Sequence, residues 1–191
     1  MIGETREMDE VEVVERASRG DREAFTSLAA GRADSCYGLA YRILRDQHLA
    51  QDATQRALLG AWRDLPTLRD PARFEAWLYR LVVHACYVEA RAERRWAGRV
   101  RVVALEEDRQ ASSDDVVRAV VARQDLERAF KQLDAEHRAV VVLHHYSGYQ
   151  LTEIAELLGI PVGTARSRLH YAVRRLRAVL DAEADGNERT A

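Results

Sequence analysis

The chain has 191 residues, a formal net charge of −2, 31% charged and 47% apolar side chains, so it holds one ordinary domain or two small ones with real cores. With 10 glycines, 3 prolines and no apolar run near the ~20 residues of a membrane span, collagen-like, low-complexity and membrane-inserted readings fail. The start is acidic (Glu4, Glu7, Asp9, Glu10, Glu12) instead of basic and then apolar as in a secretion signal, and a cytoplasmic location is expected.

Residues 1–19 read as an acidic N-terminal segment, and a helix near 10–17 and another after Asp21 complete the first helical lobe. From residue 20 apolar spacing is helical, without strand-type alternation, so an all-α fold is expected. Cys36, Leu39, Ala40, Ile43 and Leu44 form one stripe. Ala50, Ala53, Ala57, Leu58, Ala61, Trp62 and Leu65 form the next, ended by Pro66. Asp70-Pro71 opens a third helix with a capping side chain and a proline at its first position. Its stripe is Phe74, Trp77, Leu78, Leu81, Val82 and Ala85, and it is expected to run to about residue 96. Cys36 and Cys86 lack metal-ligand spacing and read as packing residues, so neither a zinc site nor a disulfide framework is expected.

Between residues 98 and 118 the periodicity dissolves into Glu106, Glu107, Asp108, Ser112, Ser113, Asp114 and Asp115, which reads as a flexible linker. A second helical domain spans 119–182, with Leu126, Ala129, Phe130 and Leu133 on one helix and Val140 to Leu143 on another after Asp134. Residues 183–191 read as a polar tail, frayed after Asp181. The near-neutral total hides an uneven distribution. Arg91 to Arg101 holds five arginines against Glu93 alone, and Pro161 to Leu180 holds five arginines and no acid.

The stretch from Leu151 to Leu180 is the most informative. A short helix carries Leu151, Ile154, Ala155 and Leu158 on one face, Gly159-Ile160-Pro161 makes a tight turn, and a longer helix follows. That is the helix-turn-helix pattern, with glycine where a left-handed conformation costs least. Unrolled at 100° per residue, Val162, Ala165, Leu169, Ala172, Val173 and Leu176 share one arc, the expected buried side. Gly163, Ser167, His170, Tyr171 and Arg174 point the opposite way, while Arg166 and Arg168 flank the two. The bland reading is a solvated basic helix face. The turn glycine, the short partner helix and the clean apolar arc favour DNA. Arg166, Ser167 and His170 are candidates for base edges, Arg174 and Arg175 for phosphates, and Gly163-Thr164 for a phosphate at the helix start.

The run from Leu151 to Leu169, LTEIAELLGIPVGTARSRL, resembles region 4 of extracytoplasmic-function sigma factors. Ala40 to Leu44, Asp52, Gln55, Ala61-Trp62-Arg63 and Phe74 to Arg80 resemble region 2 of the same family, in the same order. The resemblance implies two small helical domains joined by a linker, and a chain that binds core RNA polymerase and directs promoter recognition. On that likeness Asp52, Gln55 and Arg63 dock on the clamp of the largest polymerase subunit. Trp77, Arg80, His84, Arg91, Arg94 and Arg95 hold the single-stranded −10 element. Thr164, Arg166, Ser167, Arg168, His170, Arg174 and Arg175 belong to the −35 reader. Trp77 also lies on an apolar stripe, so packing competes with base stacking there. Departures from the pattern are Gln51 and Arg56 at usually acidic positions, His84 for asparagine, Val88 for aspartate, and Gln150 as a weaker helix cap. An anti-sigma protein is the further partner the resemblance implies.

Two other readings compete. A freestanding helix-turn-helix regulator would normally dimerise, and no heptad or dimer face is evident. An enzyme would need more than His144-His145, which have no HExxH spacing, cysteine partners or phosphate-cradling loop, so no catalysis, cofactor, metal or small-molecule substrate is expected.

Overall fold

The structure is a computed structural model that describes the backbone of residues 2–97 and 127–188, and within them the side chains of 10–96 and 127–179. All regular elements among these residues are helical. The chain divides into two compact units, the first built on residues 1–92 and the second on most of the chain from 93 onward. The linker expected over 98–118, and the start of the second domain at 119–126, lie outside the described residues.

In the first unit α1 spans Ile2–Ser18, α2 Arg22–Leu44, α3 Gln47–Asp64 and α4 Phe74–Ala97. Short polar side chains set the boundaries. Asp21 caps α2 by accepting from the amides of Glu23 and Ala24 at 3.0 and 3.1 Å. It also takes a 2.8 Å ion pair from Arg16. The Ala24 amide foremost, then Arg16, holds the Asp21 carboxyl below its ordinary range. Arg45 ends α2 in the left-handed region at φ 58°, its amide still bonded to the Tyr41 carbonyl, and Asp46 then caps α3 through the Leu49 amide at 2.9 Å. This tight corner brings α3 back against α2.

The buried stripe of α3 is Ala50, Ala53, Thr54, Ala57 and Ala61, side chains small enough to let α3 approach α2 closely. Thr54 satisfies its buried hydroxyl by donating to the Ala50 carbonyl at 2.7 Å. Larger residues fill the centre: Leu39, Ile43, Leu65, Leu78, Val82 and Val83 are all fully buried, together with Cys36 and Cys86. Neither cysteine is in a disulfide, and burial pushes the thiol of Cys36 up to about 11. Trp62, expected in the buried stripe, stands 37% exposed, its ring against that of Phe25 beside the seam of small residues.

Pro66 sits within a 3-10 turn, Leu65–Thr67, that follows α3. Asp70 caps a second such turn, Pro71–Arg73, before α4 proper begins at Phe74. The acidic start is part of this unit. It forms the long helix α1, buries Val14 and Ala17, and packs on α2. Arg32 of α2 explains the acids' placement: it pairs with Glu10 of α1 and, at 3.0 Å, with Glu75 of α4.

In the second unit α5 is the helical stretch at 127–131, α6 spans Ala135–His145, α7 Leu151–Leu158 and α8 Val162–Glu188. Ala129, Leu133, Val141, Ala172 and Leu176 make its core, flanked by Phe130, Leu169 and Val179. Gln150 does not cap α7 with its own side chain. Instead the Glu153 carboxylate accepts from the Gln150 amide at 2.7 Å, the returning half of a capping box. Gly159 ends α7 at φ 64°, and the Ile160 amide reaches back to the Ala155 carbonyl at 3.0 Å. Helix α8 continues through Glu188, past Asp181 where fraying was expected. Once a helix is propagating, each further residue gains a backbone bond, and Ala182, Glu183 and Ala184 are favourable formers.

Candidate nucleic-acid interface

Helix α8 sorts its residues by angle as its sequence pattern implies. Ala165, Ala172 and Leu176 are buried and Leu169 and Val173 half-buried. Val162, expected on that buried side, is 38% exposed, since it opens the first turn before the helix meets its core. Opposite the core, Gly163, Ser167, His170 and Arg174 are exposed; Arg166 and Arg175 are exposed on the flanks, and Thr164 is half-buried at the start. The Thr164 and Ala165 amides turn to the Pro161 carbonyl, at 2.9 and 3.1 Å. Ser167 donates to the Thr164 carbonyl at 3.0 Å, which leaves its oxygen able to accept from a partner.

Arg168 behaves differently from its neighbours. Its side chain is 21% exposed and its guanidinium is paired with Glu136 of α6. About 40° on the helical wheel separates it from Ala172 at the edge of the buried arc, near enough for an acid on the packed helix to draw it inward. Sequence spacing placed it at the edge between the two faces, and Glu136 decides the edge. One turn on, Tyr171 is 44% exposed and its ring lies 4.6 Å from that of His137, beside Glu136 on α6. Tyr171 points to the same side as Ser167 but was not among the candidate site residues, because an uncharged ring gives no electrostatic signal.

On α4, the six −10 candidates fall in a single arc of about 100° when unrolled at 100° per residue. Arg80, His84, Arg91, Arg94 and Arg95 are exposed. Trp77 lies at the arc's edge, half-buried, with its ring 6.1 Å from Phe74, so packing and an accessible face coexist. Val88 is half-buried on the apolar side of the same arc. From residue 77 to 95 the arc extends ~27 Å at 1.5 Å per residue, a long strip rich in arginine with Trp77 at its edge.

The docking candidates lie on α3. Asp52, Gln55 and Arg63 are exposed. Arg63 makes a forked pair with its neighbour Asp64, at 2.7 and 2.8 Å. Arg56, the reversed charge in this block, is turned toward α4: its Nε donates at 2.8 Å to Glu89, whose side chain is only 10% exposed. A buried carboxylate needs a cationic or hydrogen-bonded partner, and Arg56 supplies it. That pairing crosses two helices and could not be read from α3 alone. Between α2 and α3 an apolar groove of about 490 Å³ opens beside Gln55, lined by Phe25, Tyr37, Leu58, Leu59 and Trp62 among others. Leu59 is 63% exposed, and the Phe25 and Trp62 rings meet at 4.9 Å.

His144 and His145 show local roles. The His144 Nδ1 lies 2.9 Å from the Tyr149 carbonyl and the two rings pack edge-on at 4.8 Å. Among the described residues no His, Cys, Asp and Glu cluster suits a metal, and no helix is long and apolar enough to cross a membrane.

The sigma-70 region 2 model matches residues 32–96, and the sigma-70 region 4 model matches residues 129–178. The extracytoplasmic-function (ECF) RNA polymerase sigma factor SigL of Mycobacterium tuberculosis is 38% identical over 142 residues, covering 74% of this chain and 80% of SigL. SigM of the same organism, also an ECF RNA polymerase sigma factor, is 32% identical over 179 residues, 94% of this chain and 88% of SigM. Among solved structures, CnrH in complex with the cytosolic domain of CnrY superimposes with a TM-score of 0.61 at 26% identity, over 91% of this chain and 97% of CnrH.

Proposed function

The chain belongs to the extracytoplasmic-function sigma factors, alternative sigma factors that direct transcription initiation by RNA polymerase, and on that premise we propose how its surfaces divide the work. The exposed face of α8 reads the −35 element: Arg166, Ser167 and His170 meet base edges, Arg174 and Arg175 meet phosphates, and Thr164 sits at the anion-friendly helix start. Arg168 acts indirectly, by fixing α8 to α6 through Glu136. The α4 arc holds the melted −10 strand. Its arginines Arg80, Arg91, Arg94 and Arg95 track the backbone, His84 lies among them, and the open face of Trp77 offers a base a stacking surface worth ~1–3 kcal/mol. The α3 ridge, with Asp52, Gln55 and Arg63, docks on the polymerase clamp, and the apolar groove beside Gln55 adds burial to that contact.

The observation that carries this reading is the placement of all six −10 candidates on one face of α4 while α8 presents a separate exposed face after a glycine turn. Activity then rests on binding, with no catalysis of its own, in the cytoplasm where polymerase and promoter are. The chain is near neutral overall, so alone it should hold duplex DNA weakly. Tethering both on polymerase raises the effective concentration of each at its element. An anti-sigma protein that covers the lobes is the further partner; the solved complex of CnrH with the cytosolic domain of CnrY supports a protein partner of that kind.

Run-off transcription with core polymerase on a promoter library tests the reading. Products that depend on both a −35 and a −10 sequence are expected. A stable dimer that footprints a palindrome without polymerase, with no run-off product, would favour a freestanding regulator instead.

A further inference from the structure

Tyr171 is a large side chain that α8 leaves 44% exposed, and its ring is held in place. It meets His137 with ring centroids 4.6 Å apart at 42°, and three residues earlier Arg168 is tied to Glu136. Two adjacent residues of α6 thus grip two residues of α8 that are nearly a turn apart, which sets the rotation of the helix and the direction of the ring together. The tilted imidazole thus covers one side of the phenol ring.

We propose that Tyr171 is a specificity-determining residue that reads a thymine of the −35 element through its C5-methyl group, and that His137 is the positioning residue that holds the ring for it. The proposal rests on the reading of α8 as the −35 helix. On the helical wheel Tyr171 lies about 40° from Ser167 and about 60° from Arg174, so it borders the same face. From Val162 to Tyr171 the helix advances about 14 Å, comparable with the ~12 Å width of the major groove. A phenol ring cannot make the forked bonds by which arginine reads guanine or asparagine reads adenine. What its ring can distinguish in the groove is the methyl group that only thymine carries. A ring already packed on one side has little rotamer freedom left to lose on binding.

Selection of −35 sequences by holoenzyme containing the full chain tests this, comparing wild type with Tyr171→Ala, Tyr171→Phe, His137→Ala, Arg166→Ala and His170→Ala. Wild type should prefer thymine at one position, and Tyr171→Ala should flatten that preference by about fivefold or more while leaving the other positions unchanged. Tyr171→Phe keeps the ring and should keep the preference. His137→Ala should flatten it partially at the same position. The proposal is overturned if Tyr171→Ala weakens every sequence alike or leaves the thymine preference intact. The positioning role is overturned if His137→Ala acts uniformly. Should Arg166→Ala and His170→Ala also leave every position unaltered, the −35 reading of α8 itself has failed. Should they shift preferences while Tyr171→Ala does not, this inference alone has failed.

Discussion

Helices α4 and α8 both turn arginine to solvent, and their neighbours make them different surfaces. On α4, Arg80, Arg91, Arg94 and Arg95 stay exposed along one long arc, bordered by half-buried Trp77 and Val88. On α8, the acid Glu136 on the packed helix withdraws Arg168, and what remains is a short face that mixes Arg166, Ser167, His170, Tyr171 and Arg174. A long strip on which arginine predominates suits a phosphate backbone. A short, chemically varied one suits base edges. Charge marks where nucleic acid can bind, and the residues packed around each charge decide which of its groups are met.

The comparison breaks first if the two helices depend on each other. Leu78→Ala, at a 1% exposed position of α4, should cost the first unit about 2–5 kcal/mol. In thermal unfolding the transition of that unit should fall while the second is unmoved. A shift of both together would join the two surfaces into one cooperative body.

Arg56→Ala sharpens it next. Removing the partner of buried Glu89 should destabilise the first unit by about 1–3 kcal/mol, measurable by urea titration, whereas Arg91→Ala on the exposed arc should cost little. Third, Arg91→Ala with Arg95→Ala should lower the salt slope of holoenzyme binding to a single-stranded −10 oligonucleotide by ~0.7 per arginine and leave base preference alone. A changed base preference would make α4 a base reader like α8.

The smallest effect is at the entrance to α2. Because the Ala24 amide and Arg16 hold the Asp21 carboxyl below its unfolded value, its contribution is complete above about pH 4 and is lost as pH falls through the folded value. Asp21→Asn keeps a cap without the charge. Its thermal midpoint should therefore fall less steeply between pH 4 and 2 than that of wild type, as read by circular dichroism.

Much of the fold was legible because helix boundaries depend on residues close in sequence. Asp21, Asp70 and Gly159 punctuate the chain locally, and the buried arcs of α4 and α8 follow from spacing alone. What escaped depended on residues far apart. Arg168 and Glu136, Arg56 and Glu89, and Arg32 with Glu10 and Glu75 are pairings between helices, and each altered how a residue reads. Arg168 turned inward from the edge between the two faces, Arg56 became an internal partner, and Glu10 of the acidic start gained a partner in Arg32. Trp62 and Val162 went the other way, apolar residues that the core did not reach.

Site-directed cleavage maps the two surfaces in one experiment. Cys36 and Cys86 are buried, and the Cys36 thiol is pushed up to about 11, so a cysteine introduced at Ser167 or at His84 can carry an iron chelate selectively. In the promoter-bound holoenzyme, the chelate at position 167 should cut duplex DNA at the −35 element, and the chelate at position 84 should cut the melted strand at the −10 element. Cutting by both at one element, or by position 84 in duplex DNA only, would contradict the division of labour between α8 and α4.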